Sequence, residues 1–252
     1  MPDRRLHRGP HPEDAHLFAP GQWAALQGAC ADLAWLLSRG YALNSGLKIV
    51  GDRYALTQRQ RVAVMRATCS DQSLNHRQAL QITAEQAQGQ PLWLDGYNVI
   101  TTLESALAHA VLLRCRDGCI RDMASMHGHY KRVAETAAAI NLVGLYTSAI
   151  LQTPAIHWLL DSPVSNSGRL KTIIYQIAAA AGWAWTVELV TDPDPILAKS
   201  QNIIATADSV ILDKRASALN TSPSPTTHQW FNLTGAIISW AIPEAVIVAL
   251  DQ

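Results

Sequence analysis

Several common signatures are missing from this chain of 252 residues. Its four cysteines include no Cys-x-x-Cys pair, and no secretory signal accompanies them, so we expect reduced thiols in a cytoplasmic protein. No Gly-x-Gly-x-x-Gly or Walker loop follows a predicted strand, which argues against a dinucleotide or P-loop NTPase site. We therefore expect no nucleotide cofactor.

The chain also lacks net charge and a long apolar run. Twenty basic residues balance twenty acidic ones, so any attraction for nucleic acid must come from a local patch. The two most apolar windows, 137–160 and 233–250, are interrupted by polar residues or by proline. Neither offers the roughly 18 uninterrupted apolar residues of a membrane-spanning helix. We expect a soluble protein without a membrane partner.

The hydrophobic pattern of the sequence changes near position 88. Residues 1–88 are predicted to form an all-helical N-terminal domain, with helices at 22–38, 58–69 and about 71–86. Gly40 is placed to end the first helix, and Thr57 is placed to cap the second. No internal repeat of fixed period is visible.

Residues 89–252 alternate between strand-like and helix-like segments. Strands are predicted up to Asp95 and at 156–160, 186–190, 202–206 and 230–233. Helices are predicted at about 103–113, 116–130, 133–152, 169–181 and 195–200, with a closing helix to about 250, and residues 220–227 have the composition of a surface loop. This alternation predicts an α/β domain with a central, mostly parallel sheet.

Three of the predicted strands end at or near an aspartate. These residues are Asp95, Asp161 and Asp208, and Asp117 and Asp194 are further candidates. Because parallel strands present ligand sites at their carboxyl ends, the carboxylates are expected to converge there. Mg²⁺ and Mn²⁺ prefer oxygen ligands of this kind. The alternative that these aspartates only cap helices or loops stays open.

The motifs also occur in the order of a known family. The segment from Leu94 to Asn98, Leu-Asp-Gly-Tyr-Asn, resembles the opening strand of NYN-type nuclease domains of the PIN-like superfamily, especially the YacP-like branch. Four later motifs are similar to that branch and follow in its order: Arg116-Asp117, Leu160-Asp161, Asp192-Pro193-Asp194 and Ala205-Thr206-Ala207-Asp208. The N-terminal helical region has no counterpart in that branch.

This resemblance implies a Rossmann-like PIN/NYN fold for residues 89–252. It implies a metal-dependent nuclease, expected to be an endoribonuclease acting on RNA, with Mg²⁺ or Mn²⁺ held by Asp95, Asp161 and Asp208. Asp117 and Asp194 would complete a catalytic set of five aspartates, and no side-chain nucleophile is required. The chain also resembles uncharacterised bacterial and archaeal proteins of the DUF434 type through residues 8–14 and 115–119, which adds no chemistry.

Substrate contacts are predicted at two places. Asn98 either holds the turn after Asp95 or contacts the phosphate. Ser165, Asn166 and Arg169 surround the start of a predicted helix, where hydroxyl, N–H and guanidinium groups could hold an anion. A plain loop with a helix cap explains these residues equally well.

Two other classes of function stay open. The same fold could be a non-catalytic RNA- or protein-binding module with an incomplete acidic cluster. It could instead be a metal-dependent phosphohydrolase for small phosphate esters. The sequence does not fix the oligomeric state, and a homo-oligomer is compatible with it.

Other charged or reactive residues receive simpler interpretations. Cys115 and Cys119 could bind a transition metal beside His127 and His129, although buried thiols are the favoured interpretation. Asp122 is favoured as a solvated or capping residue. The arginines of the N-terminal region, Arg53, Arg59, Arg61, Arg66 and Arg77, form either a solvated helix face or a face that follows a nucleic-acid backbone.

Overall fold

The N-terminal region is helical, as predicted. The structure, a computed structural model, describes residues 7–124, 130–218 and 228–251. Its first helices are α1 (Asp14–Leu17), α2 (Trp23–Ser38), α3 (Leu43–Arg53), α4 (Gln58–Ala67), α5 (Asp71–Leu80) and α6 (Ala84–Ala87), with a 3-10 turn at Pro20–Gln22. Helix α3 was not predicted, and the predicted helix at 71–86 is two helices, since it ends at Leu80 and restarts after Thr83.

Two predicted helix ends are confirmed. Gly40 adopts φ +82° after α2, and its N–H donates to the carbonyl of Leu37, which closes the last turn. Thr57 caps α4 through a reciprocal pair of bonds with Gln60. The Gln60 amide donates to the Thr57 hydroxyl, and the Thr57 amide donates to the Gln60 side chain.

The rest of the chain combines helices with two sheets. In chain order the elements are β1 (Leu92–Asp95), α7 (Gly96–Leu107), β2 (Leu112–Arg114), β3 (Ile120–Asp122), α8 (Thr136–Ala149), β4 (Ile156–Asp161), α9 (Ser167–Ala181), β5 (Trp185–Val190), α10 (Pro193–Lys199), β6 (Ile203–Ala205), α11 (Ser209–Ala218), α12 (Leu233–Ala241) and β7 (Ile247–Ala249). The main sheet has the order β5-β4-β1-β6, and its strands are parallel. The α/β class with a mostly parallel sheet after a helical region is confirmed.

The main sheet is covered on both faces, because successive side chains of a strand point to opposite sides. Leu94 and Trp158 pack into the core that includes residues of α7, α8 and α9. Leu159 and Trp93 face the other core, which includes residues of α10 and α11. Asp95 lies two residues after Trp93, and Asp161 lies two residues after Leu159. Side chains two residues apart in a strand share a face, so both carboxylates lie on the side of α10 and α11.

A second, three-stranded sheet joins the helical region to the rest of the molecule. Its order is β3-β2-β7, with β2 and β3 antiparallel and β2 and β7 parallel. Leu113 and Val248 of this sheet share a core with Leu33 of α2 and Val64 of α4. Strands from residues 112–122 and 247–249 therefore pack directly on the N-terminal helices. The predicted domain boundary at 88/89 stays a prediction.

Two predicted helices need correction. Helix α7 begins at Gly96 rather than near 103 and ends at Leu107 rather than 113, and residues predicted to be helical at 116–124 form the turn and second strand of the β2–β3 hairpin instead. The reason is the Asp117-Gly118 turn, where Gly118 adopts φ +77°. Asp-Gly is a strong hairpin signal, and it outweighs the weak helical periodicity. Residues 125–129 of that prediction lie outside the described residues.

The C-terminal predictions also need correction. The predicted strand at 230–233 is reduced to isolated bridges that Trp230 forms with Gln81 and Ile204. The closing helix is α12, which ends at Ala241 just before Pro243, and the chain finishes with strand β7. The predicted loop at 220–227 lies outside the described residues.

The described helices include none that is long and apolar enough to span a bilayer. All four cysteines are buried and free, in agreement with the expectation of reduced thiols. The cytoplasmic location stays a prediction.

Candidate active site

The carboxyl ends of β1, β4 and β6 open into a pocket of about 390 Å³. Its lining includes four of the five predicted catalytic aspartates, Asp95, Asp161, Asp194 and Asp208, and we term it the acidic pocket. Strand β4 lies on one side of β1 and β6 lies on the other. The pocket thus lies where the chain direction across the sheet reverses, which is the usual position of a ligand site in an open α/β sheet.

Asp95 is positioned by the residues that follow it. Helix α7 begins at Gly96, where an added Cβ would lie 2.8 Å from the carbonyl oxygen of Leu159, so only glycine allows this close approach of helix and strand. The Asp95 carboxylate accepts a hydrogen bond from the Thr206 hydroxyl at 2.7 Å. The Asn98 side-chain oxygen accepts one from the Ala207 amide at 2.8 Å. These bonds fix the end of β1 to the loop after β6.

Asp208 and Asp194 reach the pocket from the starts of two helices. One oxygen of Asp208, Oδ1, accepts from the amides of Val210 and Ile211 and caps α11, so the capping interpretation is confirmed for that atom. Its other oxygen makes no hydrogen bond with the described parts of the chain. Asp194 lies in the first turn of α10, whose cap is provided by Asp192.

Within the described residues the four aspartates form no ion pair and repel one another, although nearby Lys214 acts to lower the pKa of Asp194. Burial, together with Asp208, Asp161 and Asp194, raises the pKa of Asp95 to about 7. Burial and Asp208 raise the pKa of Asp194, and burial and Asp192 raise that of Asp161. Among the described residues, no Lys, Arg or His forms an ion pair with any of these four carboxylates. In the described part of the chain, the carboxylates that line the pocket therefore outnumber the cations that line it.

The donor set suits a hydrated cation better than a closed protein cage. Within residues 7–124, 130–218 and 228–251, no three His, Cys, Asp or Glu side chains form a ready metal-binding group. Asp161 lies two residues beyond Leu159, the β4 partner of Asp95, which separates the two Cα atoms by roughly 8 Å. Mg²⁺ often binds one or two carboxylates and keeps several waters. The carboxylates of the acidic pocket are compatible with that mode.

Asp117 is not brought to this pocket. It lies in the turn of the β2–β3 hairpin, where Arg77 and Arg121 each donate to its Oδ2 at 2.6 Å. Burial alone would raise the pKa of Asp117, but Arg121 and Arg77 hold it well below its usual range. The charge of Asp117 is thus matched by arginines inside the protein. Four of the five predicted aspartates line the acidic pocket, and Asp117 is the one that does not.

Two of the predicted substrate residues lie in a separate pocket. Asn166 and Arg169 line a pocket of about 280 Å³ together with Tyr130, Lys131 and Arg132. Asn166 adopts φ +67° before α9 and donates to the carbonyl of Tyr130 at 3.1 Å. Ser165 immediately precedes it in the turn after β4. Asn98 alone of the predicted substrate residues lines the acidic pocket.

Several lining residues of the acidic pocket were not predicted for it. Arg66 comes from α4 of the helical region, and Tyr97, Arg121 and Asp122 complete the wall. The guanidinium of Arg121 is tied between Asp117 and the carbonyl of Ala207, to which Nε donates at 2.7 Å. No sequence pattern links residues 66 and 121 to Asp95, because only the packing of α4 on the second sheet brings them together.

Asp122 differs from the other lining aspartates, because its carboxylate is engaged. It accepts hydrogen bonds from the hydroxyl of Thr102 at 3.0 Å and from the amide of Ala124 at 2.7 Å. Its nearest cation is Arg66, whose Nη1 lies 3.7 Å from Oδ1. The residue is buried rather than solvated.

Two other clusters of polar or reactive side chains are structural in this fold. Glu104 is buried and accepts hydrogen bonds from Arg8, Tyr130 and Thr136. Cys115 and Cys119 are buried in the hairpin, and burial raises the pKa of Cys115 to about 11, as expected for inert thiols. His127 and His129, the other members of the suggested transition-metal site, lie outside the described residues.

Comparisons with known proteins give a family but no activity. The model described as a domain of unknown function, DUF5616, matches residues 84–224, which is more than half of the chain. A second, described as a protein of unknown function, DUF434, matches residues 25–79. An uncharacterised protein of Methanocaldococcus jannaschii is 29% identical over 188 residues, covering 75% of this chain and 89% of the relative. No solved structure matches the chain.

Proposed function

The chain belongs to the DUF5616 family, whose description gives no activity, and we propose that it is a divalent-metal-dependent endoribonuclease with a PIN/NYN-like C-terminal domain. One observation carries this proposal. Asp95, Asp161, Asp194 and Asp208 line one pocket at the carboxyl edge of a parallel sheet, and none of them forms an ion pair among the described residues. The DUF434 match to residues 25–79 leaves the proposal unchanged.

Charge explains why a cation belongs to the proposed reaction. Five carboxylates and two guanidinium groups line the acidic pocket, a net charge of −3 if all are ionised. A phosphodiester is also anionic, so it would be repelled from this pocket unless a cation entered with it. A bound Mg²⁺ or Mn²⁺ would supply an activated water and offset the charge on the leaving oxygen.

The residues of the chain have distinct parts in this proposal. Asp95 and Asp161 would hold the cation, and Asp208 would offer it Oδ2, the oxygen that does not cap α11. Asp194 would add negative charge at the mouth of the same site. Thr206 orients Asp95, and Asn98 holds the loop that carries Asp208. Asn98 is therefore a positioning residue.

The first experiment is cleavage of a panel of labelled RNAs by the purified chain. We expect cleavage with Mg²⁺ or Mn²⁺ and none with EDTA. Asp95→Asn and Asp208→Asn should each lower kcat by about 100-fold or more, as removal of one charge-stabilising group often does. Asp52→Asn is the matched control, because Asp52 is 57% exposed on α3 and does not line the acidic pocket. Undiminished cleavage by both pocket variants would exclude this mechanism.

One observation favours a second candidate, a non-catalytic RNA-binding module on the same fold. The described part of the chain holds no ready group of three metal ligands, and Asp117 is paired elsewhere. This candidate predicts RNA binding that is unchanged by EDTA and no cleavage of any RNA in the panel. Calorimetric titration with Mn²⁺ separates the candidates, because only the nuclease requires a bound cation.

A further inference from the structure

Arg66 lines the acidic pocket, and only some of its N–H donors are hydrogen-bonded within the described residues. It lies in the last turn of α4, in the helical region, and its side chain is 30% exposed. Nη1 donates to the carbonyl of Asp122 at 2.7 Å, and Nη2 donates to the carbonyl of Ala124 at 2.9 Å. These two bonds fix the guanidinium plane at the pocket wall.

The remaining donors of Arg66 have no partner in the described residues. A guanidinium carries five N–H groups, and two of them are used. The nearest carboxylate oxygen, in Asp122, lies 3.7 Å away and already accepts the Ala124 amide. Arg121 differs, because it donates to Ala207, to Arg66 and twice to Asp117. Arg66 is thus held in place and still able to bind an anion.

Tyr97 provides a second, independent donor in the same pocket. Its side chain is buried, it lines the acidic pocket, and its hydroxyl has no hydrogen-bond partner among the described residues. A phenolic hydroxyl is protonated at neutral pH, so this group is available as a hydrogen-bond donor. A buried hydroxyl without a partner is unfavourable, and an anion oxygen in the pocket would remove that cost.

We propose that Arg66 and Tyr97 bind the non-bridging oxygens of the phosphodiester in the acidic pocket, so that the N-terminal helical region supplies part of the substrate site. This inference rests on the proposed nuclease function. The planar fork of arginine matches two phosphate oxygens, and a hydroxyl can donate to one of them. Contacts of this kind position a nucleic acid without reading its sequence. The helical region would therefore be required for substrate binding.

The test is steady-state cleavage of one labelled RNA with Mn²⁺ by the full chain and four variants. Arg66→Gln should raise KM by about 10- to 100-fold, the range for a charged hydrogen bond, and Arg66→Lys should recover part of that loss. Tyr97→Phe removes a single oxygen and should raise KM by about 3- to 10-fold. Arg39→Gln, which removes an exposed side chain just after α2 that does not line the acidic pocket, should leave KM unchanged.

Folding is checked separately, because Arg66→Gln also removes two bonds to carbonyl oxygens. Thermal melting should give Tyr97→Phe and Arg66→Lys melting temperatures close to that of the unchanged protein. If Arg66→Gln does not fold, Tyr97→Phe and Arg66→Lys decide the question, because the point charge of lysine reproduces only part of the two-pronged contact of arginine. KM values within twofold of the unchanged protein for these folded variants would overturn the inference.

Inorganic phosphate distinguishes a failure of this inference from a failure of the proposed function. Calorimetry with Mn²⁺ present should show phosphate binding that Arg66→Gln weakens at least 10-fold, even if no RNA is cleaved. Cleavage that needs Asp95 but is indifferent to Arg66 and Tyr97 would overturn the inference alone. A chain that binds no phosphate, or binds it equally well without Arg66, would also overturn it.

Discussion

Asp95 and Asp117 are both buried aspartates at turns of the chain, and their surroundings are opposite. Asp117 accepts hydrogen bonds from Arg77 and Arg121, whereas Asp95 accepts one from the Thr206 hydroxyl and lines a pocket with other aspartates. The pKa of Asp117 is accordingly lowered, and that of Asp95 is raised to about 7. A buried carboxylate whose charge is matched internally supports the fold, and one whose charge is unmatched is available to a cation.

Replacing Asp117 is expected to have the largest effect on stability. Asp117→Asn leaves Arg121 without its carboxylate partner in a buried site and should destabilise the fold by about 3 to 5 kcal/mol. Because the folded pKa is lowered, the contribution of Asp117 is present above its usual value of 3.8 and is lost as the pH falls below it. Urea denaturation at pH 7 measures the loss. An unchanged unfolding free energy would contradict the assignment of Asp117 as structural.

Replacing Asp95 should increase the stability of the metal-free protein at pH 8, whereas replacing Asp117 decreases stability. Its folded pKa is raised from 3.8 to about 7, so ionisation costs the metal-free folded protein up to about 4 kcal/mol at pH 8. This cost grows as the pH rises from about 4 to 7 and is absent below that window. Asp95→Asn should therefore be more stable than the unchanged protein at pH 8 in EDTA, and equal to it near pH 4. Denaturation curves at both pH values provide the check, and a less stable variant at pH 8 would refute the account.

A divalent cation should stabilise the protein in proportion to its affinity. At a Mn²⁺ concentration 100 times Kd the gain is about 2.7 kcal/mol. The increase in Tm should be greater at pH 8 than at pH 5.5, because Asp95 must lose its proton to bind the ion. Thermal melts with and without Mn²⁺ measure it for the unchanged protein and for Asp95→Asn. An equal increase in the two proteins would place the cation elsewhere.

Asp122 lies between these two cases, and its replacement should have the smallest effect on stability. It lines the acidic pocket, but its carboxylate accepts hydrogen bonds from Thr102 and Ala124. Asp122→Asn should cost about 1 kcal/mol, the value of one ordinary hydrogen bond, and should leave Mn²⁺ binding nearly unchanged. Denaturation and calorimetry together test this. Complete loss of Mn²⁺ binding would move Asp122 into the cation-binding set.

Local patterns predicted the parts of the fold that depend on neighbouring residues. The strand that ends at Asp95, the later strands β4, β5 and β6, and the Thr57 cap were all predicted near their observed positions. Each is set by a short apolar run or by a bond between residues three apart. The parallel strands, and the position of Asp95 and Asp161 at the ends of two of them, follow from these patterns.

The remaining features depend on contacts between distant residues. The β2–β3 hairpin was predicted to be helical, although the Asp117-Gly118 turn is its local signal. Strand β7 pairs with β2 across more than a hundred residues, which no local pattern reveals. For the same reason the partners of Asp117 and the arrival of Arg66 in the acidic pocket could not be predicted. The sequence shows where carboxylates occur, but not which of them are neutralised.

The central claim is that the unpaired carboxylates of the acidic pocket bind a divalent cation. Calorimetric titration of Mn²⁺ at pH 8 into the unchanged protein, Asp95→Asn and Asp117→Asn tests it most directly. The account predicts that binding is lost in Asp95→Asn and retained in the fraction of Asp117→Asn that is folded. Retained binding in Asp95→Asn, or no binding by the unchanged protein, would contradict it.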